Sequence, residues 1–197
     1  MDILVIGGGG REHAIIRKIK ESPLCGKVYC APGNGGIAAD AECIPSVKAT
    51  DVEGAVRLAQ EKKVGFVIVA PDDPLVLGMV DALEAAGIPA FGPRKNAAIL
   101  EGSKAFAKDL MKKYGIPTAA YEIFTDAEAA IAYVRAQNAY PTVIKADGLA
   151  LGKGVIIAQS EQEAVTAIRD MLEGGRFGDS GRRIVVEQFL SGPEVSV

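Results

Sequence analysis

Two glycine-rich segments hold the residues best suited to chemistry. Gly7-Gly8-Gly9-Gly10 runs into Arg11, Glu12 and His13, and Lys145-Ala146-Asp147-Gly148-Leu149-Ala150-Leu151-Gly152-Lys153-Gly154 sets two lysines among three glycines. Glycine lets a backbone approach a ligand closely or adopt positive φ. A loop that opens a helix also points free N–H groups and the helix dipole at an anion. Gly7-x-Gly9 begins like a dinucleotide fingerprint, but Glu12 stands at the third glycine position. Pro32 stands where an acid would hold the ribose of a nicotinamide cofactor. These mismatches disfavour an NAD-dependent oxidoreductase. A phosphate-bearing substrate at Gly8, Gly9 and Gly10 fits better, and a structural tight turn is the plain alternative. Arg11 could clamp a phosphate with two parallel hydrogen bonds. His13, a lone histidine in a helical stretch, reads more readily as a packing or capping residue than as a catalyst.

The second segment is not a Walker A loop. Three residues separate Gly148 from Gly152, and Gly154 stands where Ser or Thr would meet magnesium. Its context is strand, loop, strand rather than strand, loop, helix. Such a hairpin, with Lys145 at its base and Lys153 in its tip, could close over a polyphosphate like a lid. The lysines would neutralise charge, and backbone N–H groups would hold the oxygens. The plain alternative is a flexible surface hairpin with solvated lysines.

The elements around these loops alternate. Ile3–Ile6 is a short apolar run, as expected of a strand buried on both faces. A helix from about Arg11 to Lys20 follows, then strands at Lys27–Ala31, Phe66–Ala70 and Ala90-Phe91. Thr50 and Glu53 read as a capping box for a helix between them. Pro74 suits the first turn of another helix, and Gly87 its end. Repeated β-α-β units imply a parallel sheet with helices on both faces. Past Gly92-Pro93 the pattern changes. A helix over Glu101–Tyr114 precedes a strand at Tyr121–Phe124. A helix capped by Thr125 and Glu128, a strand at Thr142–Lys145, the glycine-rich loop and a strand at Val155–Ala158 come next. A helix capped by Ser160 and Glu163, a loop over Gly174–Gly181 and a strand at Arg183–Glu187 complete the pattern.

Composition sets outer bounds. The 197 residues carry 22 Lys+Arg against 25 Asp+Glu, a formal net charge of −3. That balance argues against a general nucleic-acid or anionic-membrane binder, which needs clustered basic residues. No apolar run approaches the roughly 18 residues of a membrane span, and the acidic second residue does not suit a signal peptide. Three cysteines without a CxxC, and one histidine, fit reduced buried thiols better than a disulfide framework or a zinc site.

Taken together, the segments Gly9-Gly10-Arg11-Glu12-His13, Ala31-Pro32-Gly33-Asn34, Leu100-Glu101-Gly102-Ser103-Lys104 and Val143 through Val155 resemble one family in order and spacing. Phe177-Gly178-Asp179, Val186-Glu187 through Leu190, and Gly192-x-Glu194 extend the match. The chain is similar to the N-terminal part of the glycinamide ribonucleotide synthetase family, the phosphoribosylamine–glycine ligases of the ATP-grasp superfamily. The resemblance implies an α/β fold. A Rossmann-like parallel-sheet domain (1–100) would precede the start of an ATP-grasp domain (101–122). An α+β lid subdomain (123–190) and a return into the ATP-grasp core (191–197) would follow. It further implies that ATP phosphorylates glycine and that the amine of phosphoribosylamine attacks the resulting glycyl phosphate, a step of purine biosynthesis.

By the same resemblance, ATP would be held by Lys104, Lys145, Gly148, Gly152, Lys153, Gly154, Glu187, Phe189, Leu190 and Glu194. Phosphoribosylamine would be held by Gly8, Gly9, Gly10, Arg11, Asn34 and Asp72. No catalytic residue is assigned, and the Mg2+ ligands are expected beyond residue 197. The apolar alternation at Glu194–Val197 stops mid-pattern, so a longer natural protein is expected. Its partners would be small molecules (glycine, phosphoribosylamine and ATP), with no nucleic acid and no membrane. A cytoplasmic monomer is implied. Several positions depart from the family pattern: Gly8 replaces Asn, a change expected to matter little in a loop. Asp72 replaces Glu, Gln188 replaces Glu, and Leu151 replaces a small residue. A non-catalytic ATP-binding module and another ATP-grasp ligase, bicarbonate-using or carboxyaminoimidazole-forming, are the alternatives.

Overall fold

The computed structural model describes residues 1–148, 154–175 and 178–195. Leu151, Gly152, Lys153 and Phe177 lie outside the described residues, as do Ser196 and Val197. The chain forms two compact units, Met1–Ile99 and Leu100–Val197.

In the first unit, strands β1 (Ile3–Gly7), β2 (Val28–Pro32), β3 (Glu42–Cys43), β4 (Phe66–Val69) and β5 (Ala90–Phe91) form one sheet in the order β3-β2-β1-β4-β5. Every pairing in it is parallel, with Ile3 facing Val28 on one side and Phe66 on the other. The continuous apolar run of β1 is buried throughout because both sheet faces are covered. Leu4 and Ile6 pack on one side with residues of α2 (Val52–Glu61) and α4 (Met79–Ala85). Ile3 and Val5 pack on the other with Ile16 of α1 (Gly10–Ile19). The period-two alternation of a strand thus feeds two cores at once.

The second unit holds an antiparallel sheet, ordered β6-β9-β7-β8, built from β6 (Tyr121–Phe124), β7 (Thr142–Ala146), β8 (Val155–Ala158) and β9 (Ile184–Gln188). Ile144, Ala146, Ile184 and Val186 face α7 (Ala127–Gln137) and α8 (Glu161–Leu172), whose Ile131, Val134, Ile168 and Met171 complete the core. The intervening residues Lys145 and Glu187 therefore project from the opposite face. The hairpin expected around the second glycine-rich segment is formed by β7 and β8, whose ladder continues to an Ala146 N–H to Gly154 carbonyl bond of 2.8 Å.

Local signals explain where expectation and structure part. The helix beginning near Pro74 is two helices, α3 (Asp72–Leu77) and α4, because Gly78 is left-handed at φ +89 between them. The single helix over Glu101–Tyr114 is likewise divided into α5 (Lys95–Gly102) and α6 (Lys104–Tyr114). Ser103 between them is extended, and its hydroxyl accepts from the Phe106 N–H. Gly178–Arg182 forms a short 3-10 turn within the expected loop. Two N-caps shift by one residue: Asp51 rather than Thr50 caps α2, and Asp126 rather than Thr125 caps α7. A carboxylate one residue nearer the helix outcompetes the threonine hydroxyl for the same free N–H groups. Ser160 caps α8 as expected, while Glu163 accepts from the Gln159 N–H.

The Asp51 carboxylate accepts from the Gly54 N–H at 2.8 Å. Asp51→Ala is expected to cost about 1 kcal/mol, and Thr50→Ala less than about 0.5 kcal/mol. Comparing the thermal unfolding of the two variants checks the assignment; a larger loss for Thr50→Ala would contradict it.

Candidate functional site

In the first unit, the sequence-selected residues gather at the carboxyl ends of the parallel strands. Gly8, Gly9, Gly10 and Arg11 follow β1, Asn34 follows β2, and Asp72 opens α3 just after β4. Strand order reverses between β1 and β4, and such a switch point opens a crevice where α/β sheets bind ligands. Glu12 explains the broken dinucleotide fingerprint. It is buried, and its carboxylate reaches back to accept from the Gly9 N–H at 2.5 Å. Gly7 stands at φ +126, and a Cβ there would lie 2.6 Å from Glu12 Cγ. Gly8 is more constrained than its place in a loop suggests, since a Cβ would lie 2.8 Å from the Gly33 carbonyl oxygen.

Asn34 ties the loops together. Its amide donates to the Gly8 carbonyl at 2.7 Å, and its side-chain oxygen accepts from the Ile37 N–H at 2.9 Å. Arg11 is exposed in the first turn of α1, with no hydrogen-bond or ion-pair partner among the described residues. Asp72 is half-buried and likewise without such a partner. His13 pairs with Asp40 at 2.9 Å, a side-chain contact rather than the packing or capping place its solitary position suggests. All three cysteines are free thiols; Cys30 alone is buried, and burial pushes its thiol up to about 12.

The second unit places two buried carboxylates close to the predicted lysines. Asp147 accepts from the Ser103 hydroxyl at 3.1 Å, the Ala105 N–H at 3.0 Å and the Arg183 Nε at 2.7 Å. It thereby sits at the N-terminus of α6 beside the Ser103 cap, where the helix dipole favours an anion. Burial would raise its carboxyl, but the Ala105 N–H, the Arg183 guanidinium and the Ser103 hydroxyl together hold it below the ordinary carboxylate value. Lys104, the first residue of α6, donates to the Gly148 carbonyl at 2.7 Å. Burial lowers its ammonium from the usual lysine value, against the attraction of Asp147. Gly148 itself is left-handed at φ +100.

Glu187 is the second carboxylate. One of its oxygens, Oε2, receives both Lys145 at 2.9 Å and Lys108 at 3.2 Å. The other, Oε1, is buried without a donor. Lys104, Lys145, Gly148 and Glu187 are thus linked into one polar region of the unit. Phe189, Leu190 and Glu194 follow β9 and are exposed, and Gly154 is buried at the foot of the hairpin. The sequence gives no role to Asp147, Arg183 or Lys108, although Asp147 lies inside the lysine–glycine segment. The only signal for Asp147 is an acid beside a glycine loop, and its partners lie 36, 42 and 44 residues away along the chain.

Comparison with known proteins agrees across the whole chain. Residues 1–101 match the family model described as phosphoribosylglycinamide synthetase, N domain, and residues 102–197 match its ATP-grasp (A) domain. A phosphoribosylamine–glycine ligase of Yersinia pestis is 55% identical over 197 residues, which is all of this chain and 46% of the relative. The crystal structure of a Thermotoga maritima phosphoribosylamine–glycine ligase superposes with a TM-score of 0.78 at 30% identity, over 98% of this chain and 45% of that one. A Campylobacter jejuni biotin carboxylase structure shares the fold, with a TM-score of 0.78 at 19% identity over 96% of this chain and 45% of its own. The chain spans about half the length of the curated relatives it matches.

Because the Asp147 carboxyl is lowered on folding, its contribution to stability is present at and above the ordinary carboxylate pKa. It is lost as pH falls through the lower folded value. Asp147→Asn should cost roughly 2 kcal/mol at neutral pH, and the gap to the parent should begin to close below about pH 4. Unfolding measured against pH in both proteins checks this; a gap that widens in acid would contradict it.

Proposed function

The chain belongs to the phosphoribosylglycinamide synthetase family, and from that premise we propose that it serves an ATP-dependent ligase joining glycine to 5-phosphoribosylamine. The observation that carries the nucleotide half is the Lys104–Lys145–Glu187 region. Lys145 spends one N–H on Glu187 and Lys104 one on Gly148, so each ammonium keeps donors for phosphate oxygens. The Glu187–Leu190 backbone, next to the Lys145–Glu187 pair, would read the adenine edge. Phe189 and Leu190 after β9 would flank that base, and Glu194 would accept from the ribose hydroxyls. Gly148 and Gly154 bound the segment proposed to cover the phosphates, whose Gly152 and Lys153 lie outside the described residues.

A carboxylate is a poor acyl donor. Transfer of the γ-phosphoryl group from ATP to a glycine carboxylate oxygen releases ADP and gives glycyl phosphate. The phosphoribosylamine nitrogen then attacks that carbonyl and expels phosphate. Lys104 and Lys145 would offset charge on the phosphoryl oxygens and orient the chain of phosphates, which is where most of the acceleration of such transfers arises. In the first unit, the N–H groups of Gly8 and Gly10, with Arg11, would hold the 5-phosphate at the head of α1, while Gly9, its N–H spent on Glu12, would shape the loop around it. Asn34 would keep the loop in shape, and Asp72 would accept from sugar hydroxyls.

Among the described residues, no group of three or more His, Cys, Asp or Glu side chains could hold a metal ion. Nor does any described helix have the length and apolarity to cross a membrane. The reaction itself suits a cytoplasmic setting with small-molecule partners.

The complete natural gene product should sustain ADP release over many turnovers only when glycine and phosphoribosylamine are both present, and bicarbonate should not replace glycine. Lys145→Ala should raise the KM for ATP by tenfold or more, about the worth of one charge-assisted hydrogen bond. Arg11→Ala should raise the KM for phosphoribosylamine and leave that for ATP unchanged. ADP release without glycine, or with bicarbonate in its place, would overturn the reading.

A further inference from the structure

Lys108 lies one turn after Lys104 on α6 and is 7% exposed. Two of its ammonium protons have hydrogen-bond acceptors within the unit, and a carboxylate pairs with its charge. These partners are Thr118 Oγ1 at 2.6 Å, the Ala119 carbonyl at 3.4 Å and Glu187 Oε2 at 3.2 Å. The Tyr121 ring lies 5.5 Å away and closes the remaining side. A lysine so enclosed offers nothing to a ligand. Lys145 differs: it donates to the same Glu187 oxygen at 2.9 Å, its side chain is 27% exposed, and no other hydrogen bond holds it among the described residues.

The charge balance gives the two lysines different tasks. Two ammonium groups share one carboxylate, so the trio keeps one net positive charge. Without Lys108, Glu187 and Lys145 would form a neutral pair, and the carboxylate would compete with phosphate for the Lys145 ammonium. We propose that Lys108 is a positioning residue of the nucleotide site: it neutralises Glu187 from inside the fold and so leaves the charge of Lys145 for the ligand's phosphates. This rests on the reading that Lys145 meets those phosphates. Lys108 touches neither ATP nor glycine; it acts through its neighbour.

The test uses the complete natural gene product with ATP and adenosine as probes, because adenosine presents the base and sugar without phosphate. Lys108→Met should weaken ATP binding about tenfold, on the scale of one charged hydrogen bond, and leave adenosine binding within about twofold of the parent. The ratio of the two affinities is the readout, since a merely structural role would lower both together. Lys108→Met/Glu187→Gln, which removes both buried charges, should restore the parent ratio to within about threefold. An unchanged ratio in Lys108→Met, alongside a lowered ratio in Lys145→Ala, overturns the inference and spares the phosphate reading. An unchanged ratio in Lys145→Ala removes the phosphate reading and this inference with it. Where Lys108→Met fails to fold, the double variant decides: the parent ratio supports the inference, and a tenfold lower one overturns it.

Discussion

Charges taken out of water must be matched, and the second unit is arranged around that requirement. Asp147 and Glu187 are both more than nine-tenths buried, and an unmatched carboxylate at either place would cost several kcal/mol. Asp147 is matched by a guanidinium, a hydroxyl and a helix N-terminus. The last of these fixes where α6 begins, hence where Lys104 projects. Glu187 is matched by Lys108 and Lys145 on one oxygen. The same bonds that make burial tolerable thus set the directions of Lys104 and Lys145, the two lysines proposed to meet a nucleotide. Function and stability here draw on one set of contacts, so a change that loosens Asp147 disturbs the site as well as the fold.

In the first unit the corresponding constraint is steric. Gly7 and Gly8 cannot carry side chains without meeting Glu12 or the Gly33 backbone. Those two glycines would be required by the chain's own packing even with no ligand at all. Gly10 is different: a Cβ there would meet nothing within 4 Å. Its lack of a side chain is not explained by packing, and it leaves open space at the first turn of α1, beside the unpaired Arg11. Open space, free N–H groups and an unpartnered guanidinium are what an incoming phosphate requires.

Much of this could be read from the sequence because it is local. The apolar run Ile3–Ile6, the glycine–lysine hairpin and the Ser160 cap each depend on residues a few places apart. Lys145 is legible from the glycine–lysine hairpin, whereas Lys104 is reached only through resemblance to a family, because a lysine's type alone says nothing of what it meets. The matched charges could not be read. Ser103 and Asp147 are 44 residues apart, and Ser103 and Arg183 are 80 apart; no short-range pattern encodes their meeting. Strand β3, at two residues, is too short to carry a period. The Thr50 and Thr125 caps failed for a different reason. Two neighbouring oxygens compete for one set of N–H groups, and a motif template does not weigh them.

Lys108 shows what separates a residue that serves a site from one that forms it. By type and spacing it is one more lysine on α6, four residues after Lys104, and its charge suggests a surface. Its two hydrogen bonds, its ion pair and its burial say otherwise: a side chain enclosed by its own fold does not reach a ligand, whatever its charge. Lys145, with one bond made and donors left over, can. Weighing burial with satisfied donors therefore sorts like-charged neighbours where sequence cannot. On the proposed reading it also accounts for the pair, since one carboxylate facing a single lysine would hold back the charge offered to a polyphosphate.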